Sequence, residues 1–431
     1  MSVIGTGYLG TAHAVGMAEL GHAVIGMDVD REKIAALSAC EVPFFEPGLT
    51  ELLRKNVEAG RLRFTASYDE VAADADIHFV CVGTPQLPGA LGADLRWVES
   101  AFTELSARLT GPALVVGKST VPVGTARRMA EVVRRHAADG ARVEVTWSPE
   151  FLREGHAVED TLRPDRLVFG VASARGERLL REVYRPVIEH HCPVVVTDYA
   201  TAELIKVSAN TFLAMKISFI NAIAEICEAA GADVLPLAAA LGHDERIGGS
   251  FLGPGLGFGG GCLPKDIRAL LACASELGLG DVAAFLHQID VINLRRRTRV
   301  VDAGREMLGG RYAGRRVCVL GAAFKPGTDD VRDSPALAVA QAVLDEGADV
   351  VVHDPVATGG AARSHPRLRY AGTLAGAAKD ADLVMLLTDW TEWRGMDPAV
   401  LEPWVRERTI VDARHALSPS RWRSAGWNYR A

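Results

Sequence analysis

The residues best able to do chemistry lie in one glycine-rich segment, Gly255–Leu271. One cysteine, Cys262, follows five glycines in seven residues and comes just before Pro264, Lys265 and Asp266. A thiol beside an ammonium and a carboxylate is the arrangement of an activated nucleophile. Glycines in such a loop let the backbone approach a ligand closely. The alternative is a glycine-rich turn with a small buried cysteine, and the segment by itself leaves both interpretations open.

A second segment, Gly5-Thr6-Gly7-Tyr8-Leu9-Gly10, follows a strand-like run and precedes a helix-like one. In that context the glycines allow a tight turn and close approach to a pyrophosphate, which the helix N-terminus attracts. The next predicted strand ends in Asp28, 18 residues after Gly10. A carboxylate there accepts hydrogen bonds from a ribose 2′-OH and repels a 2′-phosphate. The pattern therefore predicts a site for NAD rather than NADP, although Arg31 weakens the distinction. The first strand has only three residues before Gly5, which leaves open a native start a few residues upstream.

Further candidates follow predicted strands or share a helix face. Lys206 and Asn210 are four residues apart, so they lie on one side of a predicted helix. Glu150 and Glu154 in PEFLREG, and Thr120 in KSTVPVGT, follow strands at the edge where α/β sheets bind ligands. A snorkelling lysine and ordinary surface charges are the alternatives.

The elements that must position these residues indicate an α/β protein. Short apolar runs alternate with helical patterns, as in βαβ units: SVIG, HAVIGMD, DIHFVCVG, ALVVGKS, VEVTWS, RLVFGV and PVVVTD, and later RRVCVLG, ADVVVHD, ADLVMLLTD and TIVDAR. We predict two Rossmann-like doubly wound domains joined by a central helical domain with one long helix. The expected boundaries are 1–198 for a dinucleotide-binding domain, 199–300 for the helical domain and 310–431 for a second α/β domain.

The central region is predicted to be helical. The stretch Tyr199–Ala230 has no proline or glycine and keeps a helical apolar spacing, so it predicts one helix of roughly 30 residues, about 45 Å long. Helical segments are also expected over 231–242 and 264–300, with the basic run 294–299 on a solvated helix face. Ser334-Pro335 is typical of an N-cap followed by proline at the first helical position.

Composition excludes several classes of protein. At 431 residues the chain exceeds one ordinary core. Its net charge of -7, with no basic tract apart from the short run 294–299, argues against nucleic acid as a partner. No apolar run reaches the ~18 residues that span a bilayer, and no basic leader precedes the first strand. Seven scattered cysteines without metal-ligand spacing fit reduced thiols. We expect a cytoplasmic protein with no membrane partner and no metal site.

Taken together, the motifs resemble the nucleotide-sugar 6-dehydrogenases of the UDP-glucose/GDP-mannose dehydrogenase family. The matching runs occur in family order between residues 5 and 414: GTGYLG, VPFFEPGLTELL, CVGTP, KSTVPVGT, PEFLREG, AELIKVSANTFLAMKISFINAIAEICE, DERIGGSFLGPGLGFGGGCLPKDIRAL, LGAAFKPGTDDVRDSP and VDAR. Two positions depart from the family pattern. Ala222 stands where an acidic residue is usual, and Gly261 where a serine is common.

The resemblance implies an NAD-dependent four-electron oxidation of a sugar C6 alcohol to a carboxylate. Cys262 would capture the intermediate aldehyde as a thiohemiacetal, and the second oxidation would leave a thioester for water to hydrolyse. UDP-glucose, giving UDP-glucuronate, is the expected substrate. GDP-mannose or a UDP-N-acetylhexosamine is the alternative within this chemistry. A non-catalytic nucleotide-sugar sensor and a two-electron β-hydroxyacid dehydrogenase are alternatives of other kinds.

The resemblance also implies roles for single residues. Lys206 and Asn210 match a pair that contacts the reacting oxygen. Asp266, with Thr120, would hold a water, and Glu150 would assist hydrolysis. The catalytic positions are thus Cys262, Lys206, Asn210, Asp266, Thr120 and Glu150.

The binding positions carried over from the family form two sets. Those expected at the cofactor are Gly5, Gly7, Tyr8, Leu9, Gly10, Asp28, Lys33, Thr84, Thr120, Glu154, Lys265 and Lys325. Those expected at the substrate are Glu150, Phe151, Leu152, Arg153, Lys206, Asn210, Arg246, Phe251, Leu252, Gly259, Lys325 and Arg414. The family also implies a homodimer or larger homo-oligomer built around the long helix.

Overall fold

The seven short apolar runs predicted in the N-terminal part of the chain form one sheet together with an eighth strand that was not predicted. The computed structural model describes residues 1–431, which divide into two units, Met1–Ala209 and Asn210–Ala431. The strands of the first unit are β1 (Ser2–Ile4), β2 (Val24–Met27), β3 (Leu62–Thr65), β4 (Ile77–Val80), β5 (Ala113–Gly117), β6 (Val143–Trp147), β7 (Leu167–Val171) and β8 (Val194–Thr197). They lie in the order β3-β2-β1-β4-β5-β6-β7-β8. All neighbours are parallel except β6 and β7, and the strand order reverses at β1, where doubly wound sheets bind their ligands.

Helices connect these strands. They are α1 (Tyr8–Glu19), α2 (Arg31–Ser38), α3 (Leu49–Glu58), α4 (Tyr68–Asp74), α5 (Arg96–Ser106), α6 (Thr125–His136), α7 (Ala157–Leu162), α8 (Ala174–Val183) and α9 (Arg185–Ile188). Apolar side chains fill both faces of the sheet, with Phe79, Phe102 and Trp147 among the largest that are fully buried. Burial on both faces explains why the central strands are continuous apolar runs.

The predicted long helix is confirmed as α10 (Tyr199–Ala230), which begins in the first unit and ends in the second. After it come α11 (Val234–Gly242), α12 (Leu263–Glu276) and α13 (Gly280–Met307). The region 264–300, which was predicted to be helical, contains two helices with a short break between them. Gly278, with φ of +72°, ends α12 in a left-handed turn that a helix interior does not contain.

A second, six-stranded sheet lies in the C-terminal part of the second unit. Its strands are β9 (Arg316–Leu320), β10 (Asp349–His353), β11 (Arg369–Tyr370), β12 (Leu383–Leu386), β13 (Thr409–Asp412) and β14 (Asn428–Arg430), in the order β11-β10-β9-β12-β13-β14 with all neighbours parallel. The helices between and after them are α14 (Pro335–Asp345), α15 (Thr358–Ser364), α16 (Leu374–Ala378) and α17 (Pro419–Ser424). Ser334 caps α14 by accepting a hydrogen bond from the N–H of Leu337, as predicted.

The predicted fold class is confirmed: two doubly wound sheets separated in sequence by helices. The expected domain limits at 198, 300 and 310 stay predictions. None of the helices combines the length and apolar composition needed to cross a membrane.

The basic run 294–299 is only partly a solvated face, contrary to the prediction. Arg296 is 7% exposed, and Arg297 binds Asp333 through an ion pair of 2.9 Å. Arg295 and Arg299 are more exposed and pair with Glu225 and Glu228 of α10. Consecutive helix positions point in different directions, so a run of like charges cannot all face solvent when the helix packs on both sides.

One buried carboxylate ties the start of α10 to the first sheet. Glu203 is 2% exposed and accepts hydrogen bonds from the N–H groups of Gly124 (2.7 Å) and Ala126 (2.6 Å) at the N-terminus of α6. Burial raises the pKa of Glu203, and these hydrogen bonds oppose that rise. Glu203 thus satisfies N–H groups that would otherwise be buried without a partner.

We predict that Glu203→Ala lowers the free energy of unfolding by about 2 kcal/mol, because two charge-assisted hydrogen bonds are lost inside the protein. Urea unfolding followed by circular dichroism measures the change. Glu203→Gln keeps one acceptor oxygen and serves as the control with a smaller loss. Equal stabilities of the alanine variant and the parent would contradict the capping role.

Candidate active site

A cavity of about 380 Å³ lies in the first unit beside the turn between β1 and α1. Its lining includes Gly5, Gly7, Asp28 and Trp97. The N-terminus of α1 has Gly7 as its N-cap, with no capping side chain and no acidic residue in the first turn. A Cβ atom at Gly7 would meet no atom within 4 Å. The helix end is thus open to an anionic ligand.

The remaining fingerprint residues shape the turn. Gly5 has φ of +90°, and a Cβ at Gly10 would lie 1.8 Å from the carbonyl oxygen of Gly5. Only glycine at position 10 allows this contact between helix and strand. Leu9 lies in the first turn of the same helix. The residues present therefore fit a dinucleotide at the place that the sequence predicted.

Asp28 at the end of β2 is almost completely buried at the wall of this cavity. Its carboxylate accepts hydrogen bonds from the N–H of Thr6 at 2.9 Å and from Lys33 Nζ at 2.8 Å. Burial alone would raise the pKa of Asp28, but Lys33 and the N–H groups of Asp30 and Thr6 lower it overall. Asp28 is thus held ionised, as an acceptor for a ribose hydroxyl must be. Lys33 reaches the cavity as the counterion of Asp28.

Two predicted threonines and a glutamate follow the carboxyl ends of β4, β5 and β6. Thr84 Oγ1 donates to the carbonyl of Thr120 at 2.8 Å. Glu150, just after β6, forms an ion pair of 2.9 Å with Lys118, just after β5. Lys118 had no predicted role, although it belongs to the KSTVPVGT run, because nothing in the sequence of a strand-to-loop segment shows that its lysine is buried.

The turn after β6 carries the other predicted residues of the first unit. The ring of Phe151 lies under two cations, with Arg166 Cζ at 4.0 Å and Lys206 Nζ at 5.2 Å from its centroid. Lys206 is 8% exposed, so it is not a snorkelling surface lysine. Arg153 forms a bidentate ion pair with Asp160 of α7. Leu152 and Glu154 complete the turn and are partly exposed.

Glu46 is a second residue that sequence reasoning missed. This buried carboxylate accepts hydrogen bonds from the hydroxyl of Tyr8 and from the N–H groups of Gly155 and Ala157, both at 2.7 Å. It thereby connects the fingerprint loop to the turn at 151–157. Burial and the hydrogen bond to Glu46 both raise the pKa of Tyr8, which stays a phenol.

In the second unit, Asn210 and Lys265 converge on Asp266. Asp266 is 1% exposed and accepts from Asn210 Nδ2 and from Lys265 Nζ, each at 2.6 Å. Cys262 is solvent-exposed and is the N-cap of α12. The N–H of Asp266 donates to the carbonyl of Cys262, which places the two residues one turn apart. The positive end of a helix dipole favours an anionic sulfur at this position.

The loop that leads to Cys262 has its backbone bound at several points. The N–H of Gly255 donates to Asn221 Oδ1 (2.8 Å), and its carbonyl accepts from Arg296 Nε (3.0 Å). Asn293 binds both backbone groups of Phe258, at 2.8 and 3.0 Å. Side chains of α10 and α13 therefore set the path of the loop.

The glycines of this loop lie close to other parts of the protein. The sequence analysis had expected such glycines to let the backbone approach a ligand. A Cβ at Gly257 would lie 2.3 Å from Asn293 Oδ1, and one at Gly259 would lie 2.3 Å from the carbonyl oxygen of Asp333. At Gly260 the obstacle is the ring of Phe324, 2.8 Å away. The same run thus packs between α13 and the loop before α14.

Of the remaining predicted substrate residues of the second unit, Arg414 contacts this loop directly, and three others precede it in the sequence. The guanidinium of Arg414 donates to the carbonyls of Leu387 (2.8 Å), Gly257 (2.9 Å) and Phe324 (3.3 Å). Lys325 Nζ lies 5.7 Å from the ring centroid of Phe324. Three others occupy the segment before the glycine run: Arg246, exposed and paired with Asp244; Phe251, 39% exposed; and Leu252, buried.

These features define a Rossmann-class, dinucleotide-dependent protein with a cysteine held at a helix N-terminus. Comparison with known families makes the assignment specific, because three models of the UDP-glucose/GDP-mannose dehydrogenase family match in order. They are the NAD binding domain over residues 1–188, the central domain over 200–295 and the UDP binding domain over 318–419. The chain belongs to the UDP-glucose/GDP-mannose dehydrogenase family.

Individual relatives resemble the chain along its whole length. It is 40% identical to a UDP-glucose 6-dehydrogenase of Pseudomonas aeruginosa, covering 100% of this chain and 96% of the relative. It is 42% identical to a UDP-glucose 6-dehydrogenase of Rhizobium meliloti, covering 100% and 98%. A solved UDP-glucose dehydrogenase from Pyrobaculum islandicum superposes with a TM-score of 0.92 at 39% identity, covering 100% and 96%.

We predict that Gly259→Ala destabilises the protein by about 2 kcal/mol, because the added carbon meets a backbone carbonyl and a proline ring that cannot move aside. Gly261→Ala should cost less than about 1 kcal/mol. There the obstacle is the guanidinium of Arg332 at 2.5 Å, the end of a flexible side chain.

Urea unfolding and the rate of Cys262 alkylation measure both effects. Gly253→Ala is the control, since nothing lies within 4 Å of its added carbon. Equal losses for the variants at 259 and 261 would contradict the proposed packing.

Proposed function

We propose that the chain oxidises the C6 alcohol of UDP-glucose to the carboxylate of UDP-glucuronate, with NAD as hydride acceptor in both steps. The observation that carries the proposal is the cluster of Cys262, Asp266, Lys265 and Asn210 at the start of α12, in a chain that also has a dinucleotide cavity. An alcohol dehydrogenase that stops at the aldehyde needs no nucleophilic cysteine. The names of the relatives support UDP-glucose as the substrate.

In this scheme Cys262 retains the intermediate. Its sulfur attacks the aldehyde carbon to form a thiohemiacetal, whose oxidation leaves a thioester on the sulfur. Water then adds to the thioester carbon, the C–S bond breaks, and the carboxylate leaves. Covalent capture prevents escape of the aldehyde and prepares it for the second oxidation. NAD, when bound, would accept one hydride in each oxidation, so two NAD molecules would be used in succession for each sugar.

Other residues stabilise charge or move protons in the scheme. Lys206, a buried cation, is suited to stabilise the oxygen of the reacting alcohol as it loses its proton. Asn210 orients Asp266 through the hydrogen bond described above, and Lys265 balances the charge of Asp266. Asp266 and Thr120 would hold a water, and Glu150 would assist hydrolysis, as the family resemblance implies.

Assembly and location are also proposals. Phe212, Phe219 and Ile226 recur every seven residues along α10 and are 56%, 50% and 62% exposed. Such a stripe of large apolar side chains is typical of a surface that a partner covers, which supports the homodimer that the family implies. We further propose a cytoplasmic location, since the scattered cysteines form no disulfide.

The test is to count NADH per sugar with UDP-glucose, GDP-mannose and a UDP-N-acetylhexosamine as separate substrates. We expect two NADH per UDP-glucose, and a UDP-glucuronate product identified by mass. One NADH per sugar would instead indicate a two-electron dehydrogenase. Binding of UDP-glucose without any NADH would indicate a sensor, and turnover of GDP-mannose alone would overturn the substrate assignment.

We predict that Cys262→Ser abolishes steady NADH production, lowering it by at least about 1000-fold, because a hydroxyl is a much weaker nucleophile than a thiolate. Cys273→Ser, on the same helix but outside the cluster, is the matched control and should retain activity. Mass spectrometry of the parent enzyme during turnover should detect a sugar adduct on Cys262. Wild-type turnover by the serine variant would exclude the covalent mechanism.

A further inference from the structure

Lys118 is a buried cation for which neither the fold nor the proposed scheme yet accounts. It follows β5 and is 3% exposed. Its Nζ lies 2.9 Å from Glu150 Oε2 and donates to the hydroxyl of Tyr184 at 3.2 Å. The rings of Phe79 and Tyr184 complete its surroundings, with centroids 5.9 and 5.7 Å from Nζ. Glu150 is the carboxylate in direct contact with this ammonium.

Burial by itself would lower the pKa of Lys118, but the adjacent carboxylate of Glu150 raises it above its ordinary value. Lys118 is therefore an ammonium at neutral pH. Loss of the contact with Glu150 would leave this ammonium inside the protein without a counterion, which is strongly unfavourable. The ion pair therefore fixes the position of the Glu150 carboxylate.

The second oxygen of Glu150 is also oriented. Oε1 accepts a hydrogen bond of 2.8 Å from the N–H of Phe151, and the side chain of Glu150 is 18% exposed. A carboxylate accepts about four hydrogen bonds, so acceptor sites remain after these two contacts. Glu150 thus presents oriented lone pairs from a side chain whose rotation is restrained at both oxygens.

We propose that Lys118 is a positioning residue for thioester hydrolysis, acting only through Glu150. The inference rests on the proposed function, in which Glu150 assists that step. Lys118 makes Glu150 a fixed acceptor that orients the attacking water. One water adds to the thioester carbon and the C–S bond breaks. The thiolate takes one proton, and the other passes to solvent as the carboxylate forms.

The experiment separates oxidation from hydrolysis in the full-length protein. Rapid mixing with UDP-glucose and NAD gives a burst of NADH while the acyl-enzyme forms, then a steady rate set by hydrolysis. Mass spectrometry measures the fraction of Cys262 that carries the acyl group. The variants are Lys118→Met, Glu150→Gln, the double variant, and Tyr184→Phe as a control that alters the same pocket but keeps the ion pair.

We expect Lys118→Met to slow the steady rate by about 10-fold or more and to leave the burst rate within about 2-fold. Acyl-enzyme should then accumulate. Glu150→Gln should slow hydrolysis by about 100-fold, and adding Lys118→Met to it should change nothing further. Tyr184→Phe should hydrolyse at nearly the parental rate.

Three results would overturn the proposal. They are an equal loss of burst and steady rates in Lys118→Met, a further 10-fold loss in the double variant, or no accumulated adduct. If Lys118→Met does not fold, the comparison of Glu150→Gln with the double variant still decides. The double variant lacks both charges, so it contains no unpaired charge at this position. An absence of NADH from the parent enzyme would refute the proposed function, and the hydrolytic role of Lys118 with it. If the parent turns over, the results for the variants test the role of Lys118 alone.

Discussion

The close approach of the backbone at Gly257–Gly260 to its neighbours is the constraint on which the nucleophile depends. Asn293 on one side and Asp333 with Phe324 on the other leave no room for side chains in this run. Hydrogen bonds between this backbone and the side chains of Asn221, Arg296 and Asn293 then fix its path. Glycine loses much conformational freedom on folding, and these contacts offset that loss. The result is a defined start for α12, with Cys262 as its N-cap.

Three carboxylates of the proposed machinery are each paired with a lysine. Asp28 binds Lys33, Glu150 binds Lys118 and Asp266 binds Lys265, at 2.8, 2.9 and 2.6 Å. An uncompensated buried charge is costly, so the pairing lowers the cost of placing these side chains inside the protein. The same pairing restricts rotation, because each carboxylate also accepts a hydrogen bond from a backbone N–H or an amide. Charge compensation and orientation therefore arise from the same contacts.

The limits of prediction follow from burial. The central strands were predicted because burial on both faces demands continuous apolar runs. The three missed strands, β3, β11 and β14, all lie at sheet edges, where less burial leaves no such run. The break between α12 and α13 was not foreseen, although two glycines, Gly278 and Gly280, lie there, because isolated glycines are tolerated within many helices. The role of the basic run was misjudged because sequence periodicity does not show that both sides of α13 are packed.

The sequence by itself determined the fold class and the dinucleotide fingerprint at Gly5–Gly10, since each depends on local spacing and residue type. The segment around Cys262 left a turn and a nucleophile open, and the nucleophilic role came from the family resemblance of the whole chain. Only the tertiary structure decided what the glycines before Cys262 approach and which partners hold the charged groups. Lys118 and Glu46 illustrate the difference. Each contacts residues more than 30 positions away, and strand order rather than sequence distance determines which side chains meet at the end of a sheet.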